Sequence, residues 1–165
     1  MPKAASRPLA RRSCRTLGDM SYSEVVLALA SVEPVRDALP SEAESIRLFL
    51  SANGWSHRVG SPEGFAALLR ASSRTAVVCS GTEVVGFARG ITDGLSNGYL
   101  SMVAVAREFR RRGLGSALVA HVTAGPLEVS WALQAGRSGA SEFFAKLGFV
   151  AAPLAMQRAR RQSVA

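Results

Sequence analysis

The run from Tyr99 to Ala135 constrains this chain more than any other part of it. It begins as an apolar stretch, YLSMVAVA, and breaks at Arg110, Arg111 and Arg112. It resumes as GLGSALVAHV, with Leu114, Ala117, Leu118 and Val122 at helical spacing. Gly125-Pro126 closes that helix, and EVSWALQA then alternates, with Val129, Trp131, Leu133 and Ala135 on one side. A strand, a helix and a second strand joined this closely predict a parallel pair with a right-handed crossover. A parallel pair needs a sheet around it, and the flanking segments must supply the remaining strands.

They read that way. RTAVVCS and EVVGFARGI are strand-like runs joined by the Ser80-Gly81-Thr82 turn, and TDGLSNG is a second turn leading into YLSMVAVA. Together these form an antiparallel meander. Upstream, YSEVVLALASV (22–32) reads as a first strand. PSEAESIRLFLSANG reads as a helix with a Ser41–Glu44 capping box, an apolar face of Ile46, Phe49 and Leu50, and a stop at Asn53-Gly54. SPEGFAALLRAS repeats the pattern, with Ser61 as N-cap, Pro62 at the first helical position, and Phe65, Leu68 and Leu69 on one face. Downstream, SGASEFFAKLGF sets Ala140, Phe143, Phe144 and Leu147 on one helical face, stopped by Gly148. FVAAPLAMQR reads as a last extended segment interrupted by Pro153. The predicted order is β-α-α-β-β-β-α-β-α-β. This is an α/β (α+β) fold with a mixed, mostly antiparallel central sheet flanked by helices.

The net charge of +8 suggests nucleic acid until it is located. Lys3, Arg7, Arg11, Arg12 and Arg15 lie in the first 16 residues, and Arg158, Arg160 and Arg161 in the tail. Without those eight, 12 basic residues face 12 acidic ones, so residues 17–156 are neutral. A nucleic-acid-reading face needs cations clustered on a folded surface, which argues against such a partner. The expected organisation is a disordered basic leader over 1–19, one domain over 20–157 and a basic tail over 158–165. The leader's first 18 residues carry no acid and loosely resemble a transit peptide, and a functional start at Met20 is an equally good reading. Cys14 and Cys79 are too few for a disulfide framework, which points to a reducing compartment. Two histidines without ligand spacing point to no metal. The longest apolar run, Val25 to Ala30, is too short to span a bilayer, so the expectation is a cytoplasmic protein without membrane attachment.

The stretch EFRRRGLGSALV can hold an anion. The first N–H groups of a helix have no internal acceptor, the helix dipole adds partial positive charge, and Gly113 and Gly115 let a phosphate approach the backbone. Arginines suit a diphosphate. A P-loop would need a lysine, and a dinucleotide fingerprint a small residue where Leu118 stands, so neither fits. A plain solvated arginine run before a core helix is the competing reading.

VAVAREFRRRGLGSALV resembles the acetyl-CoA signature of the GNAT superfamily of N-acetyltransferases: Arg110-x-x-Gly113-x-Gly115 follows a strand bearing Val103-Ala104-Val105. ASEFFAKLGFVAAP resembles the family's second motif, and the GNAT-like element order covers roughly residues 22–160. The resemblance implies that amides of Arg111, Arg112, Gly113, Leu114, Gly115 and Ser116 hold the diphosphate, behind Arg110. Main-chain groups of Val103 and Val105 would hold the pantetheine arm, and Phe144 would pack against it. It further implies transfer from acetyl-CoA to a primary amine, of a small molecule or a peptide, by direct attack in a ternary complex. An acyl-CoA sensor without turnover is the alternative, and a homodimer is left open. The family's frequent tyrosine acid falls at Phe144, which cannot give a proton. Asp93, His57 and Glu108 are the candidates for a base, with Trp55 beside His57 in the segment that would shape the acceptor pocket. No residue is assigned as catalytic.

Overall fold

The structure is a computed structural model that describes residues 32–153 and 155–158. Two compact units divide between Leu133 and Gln134. The first holds the four strands of the described residues, in the order β1 (Arg74–Ser80), β2 (Glu83–Thr92), β3 (Asn97–Val105) and β4 (Ser130–Ala132). The first three pair antiparallel, and β3 pairs parallel with β4, as the spacing of the sequence requires. The mixed, mostly antiparallel sheet is therefore as expected. Of the predicted first strand only Val32 lies within the described residues. It bridges Ser80, and Arg36 bridges Val77, so the segment 32–36 lies antiparallel along β1.

Among the described residues the helices of the first unit are α1 (Ala43–Leu50), the single turn α2 (Ser56–Val59), α3 (Pro62–Arg70) and α4 (Leu114–Thr123). Ile46, Phe49, Leu50 and Phe65 are buried between α1, α3 and the sheet. The start of α1 differs from expectation. Ser41 does not cap it and Glu44 pairs with Arg47 instead. The capping carboxylate is that of Glu42, fully buried in a 3-10 turn (Pro40–Glu42). It accepts from the Leu39 N–H at 2.8 Å and from both terminal nitrogens of Arg36 at 2.7 and 2.9 Å. Gly54, at φ +82°, ends the helical path as predicted, but α2 follows at once. At α3 the Ser61 hydroxyl accepts from the Gly64 N–H and Pro62 occupies the first turn, as the sequence indicated.

The α4 helix packs against β1, β2 and β3 through Leu118, Val119 and Val122. Ala117, expected on that face, is exposed. Close approach is possible because β2 and β3 present glycines there: a Cβ on Gly86 would meet Val78 and Leu118, one on Gly90 would meet Val122 and Trp131, and one on Gly98 the Trp131 ring. Side chains alternate across a strand. Val85, Phe87, Arg89 and Ile91 therefore project to the other face of β2, where α1 packs.

The second unit contains α5 (Ala140–Ala145), entered through Gly139 at φ +75° and left through Gly148 at φ +87°. Phe144 packs edge-to-face with Phe143 at 4.9 Å and with Phe149 at 5.7 Å, so its half-buried ring has a packing role. The extended pairing expected after Gly148 is not formed among the described residues. Val150 to Pro153 is exposed and irregular, and no donor at Pro153 is available to a ladder. Cys79 is buried on β1, and Cys14 lies outside the described residues.

Candidate functional site

The β3 strand and the loop after it bring the predicted residues together. Met102 has φ +53°, and the register of β3 on β2 shifts between the pairs Phe87–Ala104 and Arg89–Ser101. Met102 and Val103 thus face the single residue Ala88, a β-bulge that bends the strand and re-aims its backbone groups. On the other side of β3, pairing with β4 covers only Asn97, Gly98 and Tyr99. From Leu100 to Val105 the strand edge has no ladder partner on that side among the described residues of this unit, and both Val103 and Val105 lie in it. The alternation predicted for 129–135 persists in the exposure of side chains, but only three of those residues pair.

Beyond Val105 the Ala106 N–H bonds to the Val85 carbonyl, and Arg107–Phe109 forms a 3-10 turn that the sequence did not announce. Phe109 is buried and anchors the turn. The three arginines then diverge in role. Arg110 donates Nε–H to the Val105 carbonyl at 3.0 Å, tying the loop back to the strand end. Arg111 takes the left-handed conformation at φ +59°. The Arg112 guanidinium lies over the Phe109 ring at 5.3 Å, a cation–π contact.

Gly113 is the N-cap of α4, at φ +80° and with open space where a Cβ would stand. The first intrahelical bond runs from the Ala117 N–H to the Gly113 carbonyl, and no side chain caps this end. The amides of Leu114, Gly115 and Ser116 are left as donors beside exposed arginines. Amides so placed can donate to an anion, and their number and spacing are compatible with a diphosphate.

The base candidates fare differently. Asp93 Oδ1 accepts from the N–H groups of Leu95, Ser96 and Asn97 at 2.8–3.0 Å, and Oδ2 from the Ser96 hydroxyl at 2.8 Å. These bonds, first those from Ser96 and Leu95, hold its carboxyl well below the usual range. It is a turn anchor with little proton affinity. Glu108 is exposed on the 3-10 turn. His57 is exposed on α2, its ring stacked with Trp55 at 6.4 Å and 12°.

Sequence reading missed Arg58 and Arg89. Arg89, mid-strand in β2, is only 8% exposed, and its Nε is buried without a hydrogen-bond partner, as is that of Arg58 on α2. Burial, the nearby Arg58 charge acting in the same direction, lowers the Arg89 pKa from its ordinary value. The signal was present: one charged residue on the apolar face Val85, Phe87, Arg89, Ile91. A groove of about 710 Å³ lies elsewhere, lined among others by Asp37, Leu69, Arg74 and His121, and the arginine–glycine loop does not contribute to it. Among the described residues no His, Cys, Asp and Glu cluster could hold a metal ion, and no helix is long and apolar enough to cross a membrane.

A family model described as an acetyltransferase (GNAT) domain matches residues 71–151, from the end of α3 through β3, the loop and α4 to the segment after α5. The chain belongs to the GNAT superfamily. Its fold is similar to that of a GNAT-family protein from Xanthomonas campestris pv. campestris, with a TM-score of 0.64 and 25% identity over 79% of this chain and 94% of that one. A proposed acetyltransferase from Deinococcus radiodurans R1 gives 0.63 and 22%, covering 79% and 90%. AAC(6')-Iy, solved in complex with the bisubstrate analogue CoA-S-monomethyl-acetylneamine, gives 0.61 and 17%, covering 80% and 99%. No curated protein matches this GNAT chain in sequence.

Proposed function

We propose that this protein is an acetyl-CoA-dependent N-acetyltransferase that moves an acetyl group to a primary amine of a small molecule or peptide in the cytoplasm. The observation that carries this reading is the pairing, at the two ends of one loop, of an unpartnered strand edge with an uncapped helix start. The amides of Leu114, Gly115 and Ser116 bind the diphosphate, with Arg111 and Arg112 supplying charge and Arg110 holding the loop in place. Main-chain groups of Val103 and Val105 hold the pantetheine arm along the open edge. Acetyl-CoA, when bound, supplies an activated thioester carbonyl.

The bulge at Met102 and Val103 turns a backbone N–H toward that carbonyl, where it stabilises negative charge building on the oxygen. The acceptor nitrogen forms the new C–N bond as the C–S bond breaks, and the thiolate takes up a proton. Asp93 is too weak a base to deprotonate the amine, whereas His57, exposed beside Trp55, carries an imidazole that can accept a proton. Phe144 has no proton to give, so the leaving thiolate (pKa near ~8.5 by analogy with cysteine) departs to water.

The test is binding followed by turnover. Acetyl-CoA should raise the melting temperature, by mass action on the native state alone. Gly115→Glu should abolish the rise by setting a carboxylate against the diphosphate, and an undiminished rise would refute the loop assignment. Thiol release from acetyl-CoA should then appear with at least one member of an amine panel. Binding without release from any amine would instead support the acyl-CoA sensor.

A further inference from the structure

Arg89 projects from β2 on the face of the sheet where α1 packs, Arg58 lies on α2, each buries an Nε without a partner, and the Arg58 charge is near enough to act on Arg89. We propose that these two arginines bind a carboxylate of the acceptor, so that the acceptor is an amine of amino-acid size carrying its own carboxyl group. The proposal rests on the acetyl-transfer reading for the word acceptor, and on separate observations for the carboxylate.

Two guanidinium groups held together in a partly dry place repel each other and lose hydration. Proteins normally offset that with a carboxylate. Here no ion pair or hydrogen bond reaches either side chain among the described residues, while Arg36, Arg47 and His121 each find an acid. The Nε atoms of both arginines are buried and unsatisfied, although the Arg89 side chain is more than nine-tenths buried. A buried donor without an acceptor costs roughly 1–3 kcal/mol, more for a charged group. A bidentate carboxylate removes that cost from both residues at once. Tyr99, the one other polar group felt at Arg89, has a hydroxyl rather than a carboxylate and leaves the charge unbalanced.

Position supports the assignment. Arg89 pairs with Ser101, two residues before Val103 and adjacent to the bulge. Two residues along a strand span about 7 Å. A carboxylate at Arg89 and an amine at the carbonyl near Val103 therefore belong to one compact molecule. The same arginines select against polycations such as polyamines and aminoglycosides, which would bring further positive charge to an unbalanced pair.

The experiment uses the full chain and reads binding directly. L-amino acids, their methyl esters, spermidine and an aminoglycoside are titrated calorimetrically, with the acetyl-CoA melting shift measured in parallel. At least one amino acid should bind saturably, and its methyl ester should bind at least ~30-fold more weakly. Arg89→Gln should lose affinity by a similar factor, with Arg89→Lys recovering part of it. Arg58→Gln, at a less buried position, should show the same loss and serves if Arg89→Gln does not fold. The acetyl-CoA shift should be unchanged in each folded variant. Absence of amino-acid binding, equal binding of the ester, tighter binding of the polycations, or unchanged affinity in both glutamine variants would each overturn the proposal. Loss of the acetyl-CoA shift in the wild-type protein would refute the acetyl-transfer reading instead, and leave carboxylate binding judged on its own titration.

Discussion

Raising the pH should weaken this protein at one identifiable carboxyl group, that of Glu83. It opens β2 just past the Ser80-Gly81-Thr82 turn, is 1% exposed, and neither carboxylate oxygen has a hydrogen-bond partner. Burial pushes its pKa up to about 7. In the unfolded chain the same group titrates near ~4.3. Between those values the native state keeps a proton that the unfolded state has released, so unfolding becomes easier as pH rises. Above the native pKa both states are ionised and the penalty levels off. A difference of about 2.7 units at about 1.4 kcal/mol each gives about 4 kcal/mol in full, of which about 2.6 kcal/mol falls between about pH 5 and about pH 8.5, a large part of the ~5–15 kcal/mol of a typical domain. Urea unfolding at about pH 5 and about pH 8.5 measures it. With a slope of about 2 kcal/mol/M, the midpoint should fall by about 1.3 M across that range. Glu83→Gln keeps the shape and removes the charge, so it should be the more stable protein at the higher pH and nearly equal at the lower. Other titrating groups cancel in the difference between the two proteins. Superimposable pH profiles would refute the reasoning.

Two further outcomes follow from the site. Asp93→Ala should lower the melting temperature by freeing three backbone N–H groups of its turn, while thiol release per folded molecule stays within about twofold; a loss of about 10²-fold or more would return Asp93 to the role of base. Gly98→Ala should cost about 1–3 kcal/mol, because its Cβ would stand 2.5–2.7 Å from the Trp131 ring and press β4 off β3; a melting temperature equal to wild type would show that the ring can move aside.

Features that depend on local chemistry could be read from the chain. The turns at Ser80-Gly81-Thr82 and Asp93-Gly94, the N-cap at Ser61, and the start of α4 at Gly113 each need a residue type that the sequence supplies. Features set by tertiary competition could not. Ser41 has the right chemistry for a cap, but Glu42 wins because Arg36, brought in along β1, holds its carboxylate in place. The bulge puts Met102, an unfavourable residue for positive φ, in the left-handed region, and no local signal marks it. The three arginines look equivalent as letters, yet one ties down a carbonyl, one bends the backbone and one lies on a ring. Arg89 was legible only as an interruption of an apolar face, and its significance depends on Arg58 arriving from a helix 31 positions earlier.

The parting of β3 from β4 after Tyr99 also bears on how the protein behaves in a crowded solution. An extended strand with free amides and carbonyls along one side is a template for any other extended chain, including another copy of itself. The stretch Leu100 to Ala104, apolar but for Ser101, has no ladder partner on the side away from β2 among the described residues of its unit and carries that risk. A ligand laid along the edge would satisfy those groups as a neighbouring strand does. Its abundance would then govern how long the protein stays dispersed at high concentration, as well as how fast it works.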